Sequence, residues 1–345
     1  MDVDLEEPTS RFDGVHPGQP ESPSESALPQ FAIPPISGFW RRLAAFLLDG
    51  LILGLIGQAL GWSLSTVWFQ VGPYGRVVGE LVALLYFGLM DSRISNGQTL
   101  GKRVLKVAVR DRDGQAIGMG RSALRTLIWL VPATLNGWAL PVMTNPIFAW
   151  IAGVILFGVG GAVVATMVFN RRTRQGLHDM LTGTYVLALT GEPVETLPLP
   201  ARPQWILAGA VVLLALIMAS VSGVIPSRLG APIQQVIELQ KSLQKDDRFF
   251  SVSVFDQTFY ESGGDTSRAL RIQAWYKGVP SDSSRSAILN DIAKVTLAVD
   301  GVEDYDLIRV DLKSAYDLGI ASGYLTYGDG QSVAVWRQRT DKGAP

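Results

Sequence analysis

Along this chain, long apolar runs alternate with short polar ones until about residue 226, and then the pattern changes. A helix needs about 20 apolar residues to cross the hydrocarbon core of a bilayer. Leu43–Trp62 carries one charge, Asp49, and Val71–Met90 carries Arg76 and Glu80. Thr126–Met143 is uncharged but contains Pro132, Asn136 and Pro141. Pro146–Phe169 is uncharged and glycine-rich, and Trp205–Ile225 is uncharged throughout. Only Thr144 and Asn145 separate the third run from the fourth, which predicts a helical hairpin. Beyond the last run, Ile233, Val236, Ile237, Leu239 and Leu243 recur at helical spacing. Phe250–Tyr260 alternates like a strand, and 261–265 (ESGGD) reads as a turn into a second strand, Ala269–Tyr276. A helix over Ala287–Val299 follows, then strands over Asp306–Ala315, Ser322–Tyr327 and Val333–Arg337. The order α-β-β-α-β-β predicts helices on one face of an antiparallel sheet. The fold class is therefore a multi-pass α-helical membrane bundle of about five spans with a C-terminal soluble α+β domain.

Lys and Arg set the orientation of such a bundle. Arg41 and Arg42 precede the first span. Arg93, Lys102, Arg103, Lys106, Arg110, Arg112, Arg121 and Arg125 lie between the second and third. Arg171, Arg172, Arg174 and Arg202 lie between the fourth and fifth, while the alternate loops have almost none. This predicts a protein of the cell membrane with a cytoplasmic N-terminus and an extracytoplasmic C-terminal domain. Residues 1–37, rich in Pro, Ser, Asp and Glu, read as a disordered acidic tail rather than a signal peptide. Residues 38–192 make the four-span membrane domain. Within it, Val104–Ile117 is a β pattern around Asp113-Gly114 and predicts a cytoplasmic hairpin near the headgroups, to which Gly183–Leu189 can add a strand. Residues 193–203 form a link stiffened by Pro193, Pro198, Pro200 and Pro203; 204–226 is the fifth span and 227–345 the outer domain.

Composition narrows the chemistry. The formal net charge is -1, so a polyanion such as nucleic acid is not an expected partner. There are no cysteines, and the two histidines are His16 and His178. Disulfides, thiol nucleophiles, iron–sulfur clusters and histidine-rich metal centres are excluded. No cofactor or metal is implied, and no enzyme activity is expected in an outer domain that has neither His nor Cys.

Charges inside the apolar runs are the informative residues. An ionised carboxylate within a span needs a partner, a wet cavity or a proton. Arg42 and Asp49 share a helix face two turns apart. They read either as an ion or proton site, or as an internal salt bridge or pairs with other helices. Glu80 can pair with Arg76 four residues earlier, or face Asp49 across the first helical hairpin as part of an ion path. The segment Asn96-Gly-Gln-Thr-Leu-Gly-Lys-Arg103 fails as a phosphate loop, because three residues rather than four separate Gly97 from Gly101 and no Ser or Thr follows Lys102. It reads instead as a turn offering Lys102 and Arg103 to anionic headgroups, as Arg171 and Arg172 do after the fourth span. His178 beside Asp179 suits a base and its orienting carboxylate, half a metal site, or hydrogen bonding between a helix end and the basic loop.

Three patches, in this order and spacing, resemble the RDD family of multi-pass membrane proteins. They are Gly38-Phe-Trp-Arg-Arg-Leu-Ala-Ala-Phe-Leu-Leu-Asp49, Gly97-Gln-Thr-Leu-Gly-Lys-Arg103 with the Val-rich stretch after it, and Arg174-Gln-Gly-Leu-His-Asp-Met-Leu-Thr-Gly-Thr184. The resemblance covers about residues 36–190. It maps Arg42, Asp49 and Asp179 onto the arginine and two aspartates of the family's name, and implies a membrane bundle commonly assigned to transport, without enzyme activity.

Two functions follow as expectations. The bundle transports a small ion or solute past Asp49 and Glu80, or it anchors an outer domain, residues 227–345, that binds an envelope protein. The bilayer is the partner in either case, and small residues four apart, such as Gly50/Gly54 and Gly57/Gly61, suit close helix packing within a bundle or a homo-oligomer.

Overall fold

The computed structural model describes residues 34–138, 142, 145–192, 196–222, 231–260 and 266–341. The acidic tail up to residue 33, Pro141, Thr144, Pro193, the start of the outer domain at 227 and the 261–265 turn lie outside the described residues.

The first apolar run folds as α1, Phe39–Ser63. Its buried residues, Ala45, Asp49, Leu53, Gly57 and Gly61, recur every four positions and form one stripe. Leu47, Leu51 and Leu55 remain exposed on the opposite face. A helix that buries its small residues and exposes its leucines packs inward through close contacts and turns its bulk to lipid.

The second run is not one helix. Its first residue, Val71, closes a separate short helix, α2 (Ser65–Val71); the chain then turns through Gly72–Gly75 as a single 3-10 segment and continues as α3, Arg76–Met90. Pro73 lies in that turn, and Gly72 takes a φ of 59, a left-handed value open to glycine. The third run begins earlier than its apolar stretch, as α5, Met119–Leu135, because Arg121 and Arg125 are helical rather than in the loop. Before it come α4, Leu100–Val104, and β1, Val107–Arg110. The fourth run is α6, Pro146–Gly153, a π-helical stretch Val154–Gly160, and α7, Gly161–Phe169. Then come α8, Leu177–Thr182, β2, Tyr185–Ala188, and α9, Arg202–Ser222. Among the described residues three helices, Phe39–Ser63, Pro146–Phe169 and Arg202–Val221, are long and apolar enough to cross a membrane. α3 and α5, at 15 and 17 residues, fall short of the full thickness on their own.

The expected hairpin is corrected. Asp113-Gly114 does turn, held by the Asp111 carboxylate accepting from the Asp113 and Gln115 amides, but the chain beyond it is not a strand. β1 pairs antiparallel with β2 instead, Val107 opposite Ala188 and Arg110 opposite Tyr185. Both strands are wholly buried, so they do not lie open to headgroups. Ile36 bridges Leu187 on the other edge of β2, which extends the ordered chain into what reads as tail. The proline-rich link is docked as well: Leu197 packs with Tyr185 and Leu187, and the Tyr185 hydroxyl donates to the Pro198 carbonyl at 2.9 Å.

The C-terminal domain contains α10 (Ala231–Leu243), β3 (Phe249–Tyr260), β4 (Thr266–Tyr276), α11 (Asp282–Leu297), β5 (Leu307–Asp317), β6 (Ser322–Gln331) and α12 (Val333–Asp341). The α-β-β-α-β-β order is as read from the sequence, but two features differ. The sheet order is β3-β4-β5-β6, and β4 runs parallel to β5, because α11 carries the chain back across the sheet. Val333–Arg337 is helical rather than a strand, and α12 seals the core with Trp336, wholly buried, whose indole N–H donates to the Ile308 carbonyl at 2.9 Å. The core joins Leu239, Val252, Ile272, Ile292, Ile308 and Leu312.

This domain is fastened to the helices. The loop between β5 and β6 packs on α1 and α3, with Leu318 buried among Trp68 and Tyr316. A side chain at Gly57 would meet Ile320 and Ala321, one at Gly61 would meet Tyr316, and one at Gly79 would meet the Leu318 carbonyl. These glycines lie towards the ends of α1 and α3 that are remote from β1 and β2.

Candidate functional site

Where the N-terminal end of α1 meets the loop after α3, a carboxylate is fully buried. Asp49 accepts from the Tyr86 hydroxyl at 2.7 Å, the Gly101 amide at 2.8 Å and the Thr99 hydroxyl at 2.6 Å. Three donors satisfy a carboxylate without a counter-ion at contact. Thr99 also caps α4, accepting from the Lys102 amide. The motif glycines explain themselves here. A Cβ at Gly101 would collide with the Ala45 carbonyl and the Asp49 carboxylate, and one at Gly97 would collide with the Val109 carbonyl. The Gly97–Gly101 segment is thus a close-packed collar around Asp49. It holds no phosphate-loop geometry.

Arg42 does not reach down its own helix to Asp49. Its guanidinium donates to Asp179 at 2.5 Å and to the Arg174 carbonyl, joining the start of α1 to α8. Asp179 is wholly buried, and its other oxygen receives Arg125 at 2.8 Å and the Thr184 hydroxyl at 3.1 Å. Arg125 turns its second arm to Asp91 at 2.7 Å, and Asp91 also holds Lys102. The result is a chain of ion pairs, Arg42–Asp179–Arg125–Asp91–Lys102, inside the protein. Burial alone would raise the Asp179 carboxyl, but Arg125, His178 and Arg42 around it hold it far below the usual carboxylate range. Burial pushes the Lys102 ammonium down, and the Asp91 carboxylate opposes that shift.

His178 lies beside this chain with Nε2 3.5 Å from Asp179. Burial, against the opposing attraction of Asp179 and with Arg125, Arg42 and Lys102 near, lowers its pKa to about 3, so the ring is neutral at physiological pH. Its Nδ1 is buried and has no hydrogen-bond partner among the described residues.

A cavity of about 790 Å³ opens against these groups. Arg42, Asp91, Lys102, Arg125 and His178 lie along it, and Phe46, Phe87, Trp129, Leu156 and Val163 supply apolar wall. Its size falls in the range of about 300–1,000 Å³ typical of pockets that take small molecules. Among the described residues no three His, Asp or Glu side chains converge as a metal site.

The structure separates several residues that the sequence grouped. Glu80 lies six residues before Tyr86 on α3, about 9 Å of helix rise from the Asp49 collar, and its Oε1 sits against Gly319 of the C-terminal domain. Arg76 bonds to Asp317 at 2.6 Å rather than forming the expected pair with Glu80. Lys102 is corrected from a headgroup contact to an inward ion-pair partner, with 11% of its side chain exposed. Arg103 bonds to the Ser95 hydroxyl yet stays exposed, as do Arg171 and Arg172. Sequence reasoning missed Asp91, Arg125, Tyr86 and Thr99. The available signal was position: Asp91 follows the second apolar run and Arg125 precedes the third, so both occupy the boundary where a charge can turn inward.

The RDD family model matches residues 36–183. "Uncharacterized protein YckC" of Bacillus subtilis is 26% identical over 154 residues, covering 45% of this chain and 85% of the relative. "Uncharacterized protein YxaI" of the same organism is 23% identical over 172 residues, covering 44% of this chain and 96% of the relative. No solved structure matches this chain. The family match ends before β2, so α9 and the C-terminal domain lie beyond it.

Proposed function

We propose, from the premise that residues 36–183 are an RDD-family domain in a membrane protein, that the chain transports a small solute through its helical bundle. Five spans carry it, α3 and α5 crossing with the turns that flank them, and the basic end faces the cytoplasm. The observation that carries this reading is the cavity of about 790 Å³ beside the buried charges, inside a bundle whose opposite end is covered by the 317–321 loop. A solute site at one end of a bundle whose other end is closed suits one state of an alternating-access cycle. With three donors on its carboxylate, Asp49 is not the ion carrier. Asp49 instead positions the collar that holds Lys102, and the solute meets the ion-pair chain.

The sealed end provides the test. The chain has no cysteines, so Gly57→Cys with Ala321→Cys introduces a single pair where a Cβ at Gly57 would approach that of Ala321 to 2.9 Å. In proteoliposomes under a pH or sodium gradient, oxidation of this pair is expected to stop flux and reduction to restore it. Flux that ignores the cross-link sinks the gating role. Absence of flux in every state favours the second reading, in which the bundle anchors an outer domain for an envelope partner. That reading is supported by the C-terminal domain's own apolar core.

A further inference from the structure

The cavity is chemically two-ended. Of the charged side chains along it, Arg42, Lys102 and Arg125 are cationic and Asp91 alone is anionic. Asp179 lies behind this wall and compensates one more cation. Asp49 does not line the cavity; its oxygens are taken by Tyr86, Thr99 and Gly101, although its charge is felt by Lys102. The polar end is therefore cation-rich where it meets the cavity, in surroundings where charge is poorly solvated. It also presents His178, 7% exposed, whose Nδ1 lacks a partner among the described residues. A buried polar atom without a partner is an exception in folded proteins, and a ligand group is one way to satisfy it.

The remaining wall is apolar. Phe46 and Trp129 meet edge to face at 5.6 Å, and Leu156 adds to the lining. Phe46, Val164 and Phe169 also line the space, yet are 48%, 57% and 65% exposed. The cavity thus opens sideways, between helices, onto the surface that faces the bilayer. A freely soluble anion would gain nothing from that wall, and a neutral hydrocarbon would leave unanswered the one cation by which Arg42, Lys102 and Arg125 outnumber Asp91 and Asp179.

We propose that this cavity binds an anionic amphiphile drawn from the surrounding bilayer, its phosphate or carboxylate headgroup at Arg42, Lys102 and Arg125 and its alkyl chain along Phe46, Trp129 and Leu156. This deepens the transport reading, because it rests on the same cavity and names the class of solute. Binding and flux are separable, so the two proposals fail separately.

The experiment uses the full chain in neutral maltoside micelles. Trp129 is the reporter, isolated by subtracting the Trp129→Phe variant, and the probes are bromododecyl phosphate, bromododecyl trimethylammonium and bromododecanol. The phosphate is expected to quench Trp129 at a concentration at least tenfold lower than the other two. Ala133→Phe, which places a ring at an exposed position on the cavity wall, is expected to abolish that quenching while thermal melting stays as in wild type. Equal quenching by all three probes overturns the headgroup assignment. Inorganic phosphate that displaces the probe as well as unbrominated dodecyl phosphate does overturns the role of the chain. Quenching that persists in folded Ala133→Phe places the probe elsewhere and overturns the site. Specific quenching in a protein that shows no flux in the cross-linking experiment leaves this proposal standing and removes transport alone.

Discussion

The two ends of α1 and α3 are held by opposite chemistry. At the end near β1 and β2, the helices join the rest of the domain through buried charges, with Arg42 reaching Asp179 and Arg125 bridging Asp179 to Asp91. At the other end they meet the C-terminal domain through glycines laid against backbone and aromatic rings, with Gly57, Gly61 and Gly79 under Ile320, Tyr316 and Leu318. Buried ion pairs contribute little net stability, because desolvation offsets attraction, but losing one partner is severe. Close glycine contacts work the other way: nothing is lost when an atom is removed, and adding one methyl is costly. One end therefore specifies which segments meet, and the other specifies how near they come.

The largest effect should come from Arg125→Ala, which leaves both Asp91 and Asp179 short of a charged partner. The expected cost is about 3–5 kcal/mol, read as a lower melting temperature of the detergent-solubilised protein. Arg248→Ala is the matched control in the C-terminal domain. Its side chain is 41% exposed beside Asp246 and Asp291, so the loss there should stay within about 1 kcal/mol. Equal losses at the two positions would remove the distinction between buried and rim charges.

A smaller effect is expected at the glycine end. Gly79→Ala aims its methyl at the Leu318 carbonyl, a backbone atom that cannot swing aside, and Gly50→Ala meets nothing within 4 Å. Overpacking should destabilise the first by about 1–3 kcal/mol, read as a lower melting temperature, and leave the second near wild type. Indistinguishable melting of the two variants would show that the 317–321 loop is not wedged against α3.

The contrast also explains what could be read from the sequence. Apolar length and helical spacing located the long apolar helical runs and placed Gly57 and Gly61 of the α1 stripe at a close contact, because burial in lipid or protein selects residues one at a time along a face; the short helices α2, α4 and α8 carry no such run. Alternation and turn residues likewise gave β3 to β6 as strands in chain order, though not their arrangement in the sheet. Partnership was not legible in the same way. Asp49 is seven positions from Arg42, yet Arg42 pairs 137 positions away, and no local period encodes a contact of that span. Lys102 read as a lipid contact because a basic residue in a surface turn is normally solvated. Its inward direction depends on Asp91, which only the fold brings near. β4 and β5 read as antiparallel because strand pattern carries no direction. The helix over Val333–Asp341 was hidden by β-branched residues whose preference yields to burying Trp336.

The finest probe of the charged end is pH. His178 faces Asp179, Arg125, Arg42 and Lys102, and burial holds its pKa at about 3 in the folded protein against an ordinary value of 6.5. Above pH 6.5 the ring is neutral whether the chain is folded or not, and the full stability is present. As pH falls through 6.5 the unfolded chain takes up a proton that the folded chain refuses, so stability declines steadily towards pH 3. At pH 5 the decline from this one residue amounts to about 2 kcal/mol. Asp179, held far below the carboxylate range, adds nothing until pH drops below its ordinary value of 3.8. His178→Asn removes the titration while keeping a polar side chain. Its melting temperature should therefore fall less than that of wild type between pH 7 and pH 5, whatever its absolute level at neutrality. Parallel slopes for the two proteins would mean that His178 is protonated in the folded state, and that the cavity wall beside the ion-pair chain is wetter than its burial implies.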